Sequence, residues 1–227
     1  MTNGLSPEER ARANEHQRRQ YAKEAARYDR GSGLCERWLF GAEHRGWACS
    51  RATGRTLEMA IGTGLNLPEY PDDAAVTGID LTPEMLEQAR RRAADLGRRV
   101  ELCGGDAQAL PFADGAFDTV LATYAMCSVP DLPLTIAEAR RVLCSGGRLI
   151  LVDHVRSSVT PLFWLQRLME LAPSRTQDEL TRRPIDQVRA AGFDVEESDR
   201  LRAGVVERLV ARRPETIRLV APTATRG

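Results

Sequence analysis

The sequence predicts a doubly wound α/β fold: a mostly parallel, seven-stranded, Rossmann-like sheet with one antiparallel strand near the C-terminus. Three observations predict it. First, the apolar run Leu57-Glu58-Met59-Ala60-Ile61 breaks into the two-glycine turn Gly62-Thr63-Gly64, and such a turn lets backbone pass close to a ligand. Second, Val76-Thr77-Gly78-Ile79-Asp80 is another apolar run, ending in a carboxylate suited to a ribose diol. Third, strand-like runs alternate with helix-length stretches as far as residue 191, which implies parallel strands joined by crossover helices.

Each element follows from local signals. Ser6-Pro7-Glu8-Glu9 reads as an N-cap and a favourable first turn, opening a polar helix toward Tyr28. Gly31-Ser32-Gly33 is expected to break it. A second helix over residues 34–52 places Leu34, Trp38, Ala42 and Arg45 on one stripe, and Gly54 ends it. Strands are predicted at residues 56–61, 75–81, 100–103, 117–123 and 148–155. Thr82-Pro83-Glu84 caps a helix that runs to Leu96, with Gly97 as its stop. A helix near residues 133–143 links the fourth and fifth strands. After a helix near residues 184–191, two strands at 194–202 and 205–212 are joined only by Ala203-Gly204. A link that short demands a hairpin, so one of the two runs antiparallel to the rest.

The turn also selects the ligand. A dinucleotide site uses Gly-x-Gly-x-x-Gly ahead of a long helix whose N-terminus faces a pyrophosphate. Here Leu67 stands at the third glycine, and Pro68 and Pro71 follow. Proline is tolerated only in the first turn of a helix, so no long dipole faces the ligand. Asn66 can cap no more than a single turn. A ligand with ribose and base but no phosphate fits better, and S-adenosylmethionine is such a molecule. Glu58, near the turn, suits its cationic amino group and sulfonium.

On these residues the chain resembles the class I S-adenosylmethionine-dependent methyltransferases, with residues 57–66 as the first motif. Three more segments match in order: Gly104-Gly105-Asp106-Ala107-Gln108-Ala109-Leu110-Pro111-Phe112, then Phe117-Asp118-Thr119-Val120-Leu121-Ala122-Thr123, then residues 137–149 with the Gly146-Gly147 turn. Ser145 stands where relatives usually carry proline. The likeness covers about residues 55–155 and is greatest to the branch holding quinone C-methyltransferases and bacterial phosphatidylethanolamine N-methyltransferases.

The resemblance implies roles. Ala60, Gly62 and Gly64 bring backbone to the methionine part of the cofactor. Asp80 accepts the ribose hydroxyls, Leu81 and Met85 sandwich the adenine, and Asp106 with Ala107 meets the adenine amino edge. Thr123 and Tyr124 line the sulfonium. Tyr28, in a Tyr28-Asp29 pair like the family's N-terminal motif, closes over the methionine group, and Tyr21 is placed with it. The implied organisation is an N-terminal helical lid (1–54), the cofactor domain (55–213) with an apolar insert (158–183) over the acceptor site, and a loose tail (214–227).

Composition bounds the partners. Basic and acidic residues balance at 32 each, so no global field recruits nucleic acid. No Asn/Asp-Pro-Pro-Tyr motif follows the fourth strand, where Thr123-Tyr124-Ala125-Met126 stands instead; that disfavours methylation of DNA bases or protein amides. No apolar window approaches a membrane span and residues 1–10 hold no signal core, so a cytoplasmic protein without stable membrane insertion is expected. Cys35, Cys49, Cys103, Cys127 and Cys144 are scattered without Cys-x-x-Cys pairs, which argues against a metal site.

The insert around Thr160-Pro161-Leu162-Phe163-Trp164-Leu165 is apolar on most of its circumference. It is read either as the roof of an apolar acceptor pocket or as a core or homodimer-interface helix. Interfacial membrane contact is disfavoured, because Arg167 is the only basic residue of the stretch 160–173.

Methyl transfer needs positioning and water exclusion, and a base only where the acceptor has a proton to lose. His154, in Asp153-His154 at the end of the fifth strand, is the candidate base, with Tyr124 beside the reaction; a structural His–Asp pair is the alternative. The function expected is transfer of a methyl group to a small apolar or aromatic acceptor at O, N, S or C, with S-adenosylhomocysteine as product. A catalytically silent S-adenosylmethionine-binding scaffold is the alternative from another class.

Overall fold

A computed structural model describes residues 5–35, 43–171 and 179–215, with side chains 32–35 left aside. Helix α1 spans Pro7–Cys35. It starts in a capping box: Glu9 N donates to Ser6 Oγ (3.3 Å) and Ser6 N to Glu9 Oε2 (2.8 Å). The expected break at Gly31-Ser32-Gly33 does not occur, and the helix continues through it to Cys35. Glycine in a helix costs only about 1 kcal/mol, and the bonds from Asp29 to Thr63 and Arg92 hold this end in place. Of the second expected helix, α2 (Glu43–Cys49) is described; Trp38 and Ala42 lie outside the described residues.

The sheet comprises β1 (Arg55–Met59), β2 (Ala75–Asp80), β3 (Val100–Gly104), β4 (Phe117–Thr123), β5 (Leu143–His154), β6 (Asp194–Leu201) and β7 (Val206–Arg212), in the order β3-β2-β1-β4-β5-β7-β6. β7 pairs antiparallel with both β5 and β6, and the remaining pairs are parallel. The order reverses between β1 and β4, and ligands of open α/β sheets bind at that switch point, beyond the carboxyl ends of the strands. β5 starts earlier than expected. Gly146 (φ 78°) and Gly147 lie in an irregular stretch of it, because Leu143 pairs with Phe117 while Arg148 pairs with Thr119.

The connecting helices are α3 (Pro83–Asp95), α4 (Leu132–Val142), α5 (Thr160–Leu171) and α6 (Pro184–Ala190). Alternation along the central strands builds a core on each face, as parallel sheets require. Met59, Val120, Leu149 and Leu151 pack with Ile136 and Ala139 of α4 and Ile185 and Val188 of α6. Leu121, Ile150 and Val152 face the other way, onto Ala48 and Cys49 of α2. α3 buries Met85, Leu86, Ala89 and Ala93 on one stripe. Thr82 occupies its N-cap position, but its side chain makes no cap bond. Asp131 does cap α4, accepting from Leu134 N at 3.1 Å. No described helix is long and apolar enough to cross a membrane. Of the expected tail, residues 216–227 lie outside the described residues, as do residues 172–178 of the insert.

Candidate active site

A cavity opens beyond the carboxyl ends of β1, β2 and β4, with about 880 Å³ of empty space, part of it open to solvent. The loop after β1 forms its floor. Ala60 (φ 51°), Gly62 (φ 57°) and Gly64 (φ 78°) all take left-handed backbone angles. The two glycines do different work. Gly62 lines the cavity, and a Cβ there would meet no atom nearer than Ala60 O at 4.0 Å. Gly64 does not line it: a Cβ would come within 2.8 Å of Leu67 Cδ1 and 3.3 Å of Ala89, so this glycine lets α3 pack close.

Two carboxylates face the cavity from neighbouring strands. Asp80 ends β2, with Oδ2 accepting from Gly62 N and Oδ1 from Thr82 N, both at 2.8 Å. Burial pushes its pKa up, and those backbone donors oppose the rise. Asp106 follows β3. Its Oδ1 accepts from Gln108 N (2.8 Å) and Gln108 Nε2 (3.0 Å), and its Oδ2 from Asn14 Nδ2 (2.6 Å). Leu81, Met85 and Ala107 lie in the lining between them.

Helix α1 forms the roof. Asn14, Gln17, Arg18, Tyr21 and Tyr28 all line the cavity, and their spacing puts them on one helical stripe. The helix is fastened at both ends. Asn14 bonds to Asp106 and Gln108 at one end; Asp29 at the other accepts from Thr63 Oγ1 and Arg92 Nη2, each at 2.5 Å.

The fourth side is built around Arg45 of α2. Its Nη1 donates to Thr123 Oγ1 (2.7 Å) and Asn66 Oδ1 (2.8 Å), and its guanidinium stands 5.2 Å from the centre of the Tyr124 ring. Tyr124 holds a left-handed φ of 54°, with its N donating to Val152 O at 2.7 Å.

Four expected site residues stand outside the lining. Glu58 is buried beneath the loop, with Oε1 accepting from Asn66 Nδ2 (2.9 Å) and Oε2 from Tyr70 Oη (2.8 Å). Burial raises its pKa to about 7, and its two hydrogen bonds brace the loop from beneath. Asn66 is fully buried between Glu58, Thr123 and Arg45. Gly64 packs as described above. His154 lies behind Tyr124, with ring centres 4.7 Å apart, and desolvation lowers its pKa to about 4.

The Asp153 carboxylate is held by backbone donors. Its Oδ2 accepts from Ala125 N (3.1 Å) and Met126 N (2.5 Å), and its Oδ1 from His154 N (2.8 Å). It therefore pins the turn that carries Tyr124. Cys127, Asp153 and His154 form a compact group of metal-capable side chains, but these backbone bonds already account for the carboxylate. Cys49 and Cys127 are buried thiols outside any disulfide, and Cys103 and Cys144 are half-buried ones.

The contributions of Asn14, Gln17, Arg18 and Arg45 were not read from the sequence. The α1 stripe was legible in principle, because these positions sit one or two turns from Tyr21. Arg45 had no local signal, since only the packing of α2 on the sheet aims it at the cavity.

Residues 57–151 match the family model described as a methyltransferase domain. That match covers 95 of the chain's 227 residues. The chain is 40% identical over 144 residues to a demethylmenaquinone methyltransferase of Thermus thermophilus, covering 59% of this chain and 63% of that protein. To a phosphatidylethanolamine N-methyltransferase of Cereibacter sphaeroides it is 39% identical over 118 residues, covering 51% and 58%. The matches thus span about three fifths of these relatives' length. Among solved structures it is similar to an S-adenosylmethionine-dependent methyltransferase from Thermotoga maritima, with a TM-score of 0.65, 23% identity, and 86% and 99% of the two chains covered. One from Aquifex aeolicus has a TM-score of 0.63 at 17% identity, covering 83% and 98%. At such identities these structures speak for the fold alone.

Proposed function

We propose that this chain moves a methyl group from S-adenosylmethionine to a small apolar or aromatic acceptor. One observation carries the reading: the carboxylates of Asp80 and Asp106 line a single cavity with the glycine turn at Gly62 and the aromatic stripe of α1. Two separated acceptors, an apolar gap between them and an exposed backbone turn match a ribose, an adenine and an amino-acid arm in that order.

In this reading Asp80 holds the ribose hydroxyls, Asp106 the adenine amino group, and Leu81 and Met85 the adenine faces. Arg45 offers a cation to the carboxylate of the methionine arm. Bound there, the cofactor supplies a methyl group on a sulfonium, activated for in-line displacement. The chain's own work is then to orient and to exclude water. Tyr21 and Tyr28 cover the arm from above, and Tyr124 is fixed by its left-handed backbone and by the turn that Asp153 anchors. His154 acts through Tyr124, as the support for its ring, and not as a proton acceptor facing the acceptor. The demethylmenaquinone and phosphatidylethanolamine relatives favour an acceptor with a large apolar part.

Calorimetry tests the cofactor, with S-adenosylhomocysteine expected to bind and NAD to give no heat. Transfer of a labelled methyl group is then measured over hydroquinones, phenols and phosphatidylethanolamine. Tight NAD binding without S-adenosylhomocysteine binding overturns the proposal. Cofactor binding with no transfer to any acceptor turns it toward a silent scaffold.

A further inference from the structure

Helix α5 is amphipathic the wrong way round for a globular protein. Trp164 and Leu168 are each 65% exposed, Leu171 is 76% exposed, and Leu165 and Met169 are more than half exposed. At 3.6 residues per turn these five side chains fill one continuous arc of about 160°. The side facing the protein carries Gln166 and Glu170 beside the half-buried Phe163. Gln166 is buried, with Oε1 accepting from Ser157 N (2.7 Å) and Nε2 donating to Val155 O (3.0 Å). Glu170 accepts from Thr181 N at 2.7 Å and from Thr181 Oγ1 at 2.9 Å. Hydrogen bonds thus hold the helix with its apolar face outward, whereas a helix packed for stability alone turns that face inward.

The tertiary structure also supplies a basic flank that the helix itself lacks. The hairpin between β6 and β7 docks against the start of α5, with Ser157 Oγ donating to Ala203 O (2.8 Å) and Ser158 N to the same oxygen (3.1 Å). That contact brings exposed Arg200 and Arg202 beside exposed Arg156. Arg200 Nη2 donates to Arg156 O, and the Arg156 guanidinium covers Phe163 of α5 at 4.9 Å. On the helix, Arg167 sits at the edge of the apolar arc, paired with Glu170. An exposed apolar helix flanked by arginines matches the requirements of an interfacial membrane contact.

We propose that α5 and the β6–β7 hairpin dock this protein onto an anionic lipid surface. A second copy of the chain fits less well. The arc is about 18 Å long and about 10 Å wide, roughly 200 Å², against the roughly 800 Å² per partner that a stable interface uses. A two-fold contact also brings the arginine flank close to its own copy. His154 ends β5 opposite Val206 of the hairpin, so the docking face lies at the same carboxyl end of the sheet as the cavity. A lipid-soluble acceptor then reaches the cavity from the surface the protein sits on. The docking itself does not depend on the methyltransferase reading.

The full chain is sedimented with vesicles of phosphatidylcholine alone and of phosphatidylcholine with phosphatidylglycerol, at low and high salt. Binding is expected only with phosphatidylglycerol, weakened by salt and accompanied by a blue shift in tryptophan emission. The double variant Trp164→Glu/Leu168→Glu should bind at least roughly tenfold more weakly, the factor that one lost apolar burial implies. Arg156→Glu/Arg202→Glu should lose the preference for phosphatidylglycerol. None of these residues lines the cavity, so thermal midpoint and S-adenosylhomocysteine affinity should match the parent, which separates this test from that of the cofactor reading. No sedimentation with anionic vesicles, or binding unaffected by the Trp164/Leu168 variant, overturns the proposal. So does a dimer in solution that this variant dissolves.

Discussion

Asn14 in helix α1 donates to the Asp106 carboxylate 92 positions away, at 2.6 Å, and its own carbonyl accepts from Gln108 at 2.9 Å. One asparagine therefore closes the roof onto the loop that also carries a proposed adenine contact. At the far end of the same helix, Asp29 bridges Thr63 of the glycine turn and Arg92 of α3. Both ends of α1 are thus tied to loops that line the cavity.

Removing both fasteners should loosen the lid without melting the sheet. The double variant Asn14→Ala/Asp29→Ala loses hydrogen bonds to charged groups worth about 1–3 kcal/mol in all. Trypsin should cut within α1 several times faster, and S-adenosylhomocysteine should bind roughly tenfold more weakly. Unchanged cleavage and exchange protection in α1 would show that packing of the stripe, rather than these bonds, holds it.

Asp80→Ala is expected to weaken cofactor binding by roughly 2–4 kcal/mol, because a buried charged acceptor is lost to the ribose. The same change strips the acceptor from Gly62 N and Thr82 N, so the thermal midpoint should fall while circular dichroism keeps its shape. Asp80→Asn, which retains one carbonyl oxygen, should be milder in both respects. An unaltered dissociation constant by calorimetry would place the ribose elsewhere.

Glu58 gives the fold a pH dependence with a definite sign. Its pKa is raised to about 7 from a usual 4.5, so the folded chain binds a proton that the unfolded chain has released. Its contribution is fully present below about pH 4.5 and is lost as pH rises through 7, by roughly 3 kcal/mol at most. Asp153, raised to about 6, acts in the same direction, and His154, lowered to about 4, acts against both. Glu58→Gln isolates the first term while keeping partners for Asn66 and Tyr70. Its stability relative to the parent should rise between pH 5 and pH 8 in urea unfolding; a difference that stays flat with pH sinks the argument.

His154 separates a supporting ring from a base. If it props Tyr124 across 4.7 Å, His154→Phe should preserve most of the turnover on whichever acceptor is found, with an unshifted pH profile. His154→Ala should lower turnover and stability together, since it opens a cavity behind Tyr124. A proton-accepting histidine predicts the opposite pattern: a loss of about 10²–10⁴-fold in both variants and a flattened acid limb.

The sequence by itself determined the sheet and the half of the site that lies along it. Strand, glycine turn and terminal carboxylate are local in the chain, so Gly62 and Asp80 could be placed from backbone chemistry and alternation, whereas Asp106 and Tyr124 rested on the family resemblance of their segments. It also determined that one of the last two strands is antiparallel, because two residues cannot carry a parallel crossover; the pairing with β5 decided that it is β7. Tertiary structure decided the rest, for reasons that depend on contacts distant in sequence. Gly31 and Gly33 did not stop α1, since its far end is tied to α3 and the glycine turn. Glu58 and Asn66 bond to each other and to Tyr70, Thr123 and Arg45, and therefore support the floor of the cavity instead of facing it. His154 sits at the correct end of its strand, yet the ring of Tyr124 stands in front of it. The direction of the apolar face of α5 was likewise undecidable from its own residues. Buried bonds from Gln166 and Glu170 turn it outward, and a hairpin some 40 positions later in the chain brings the charges beside it.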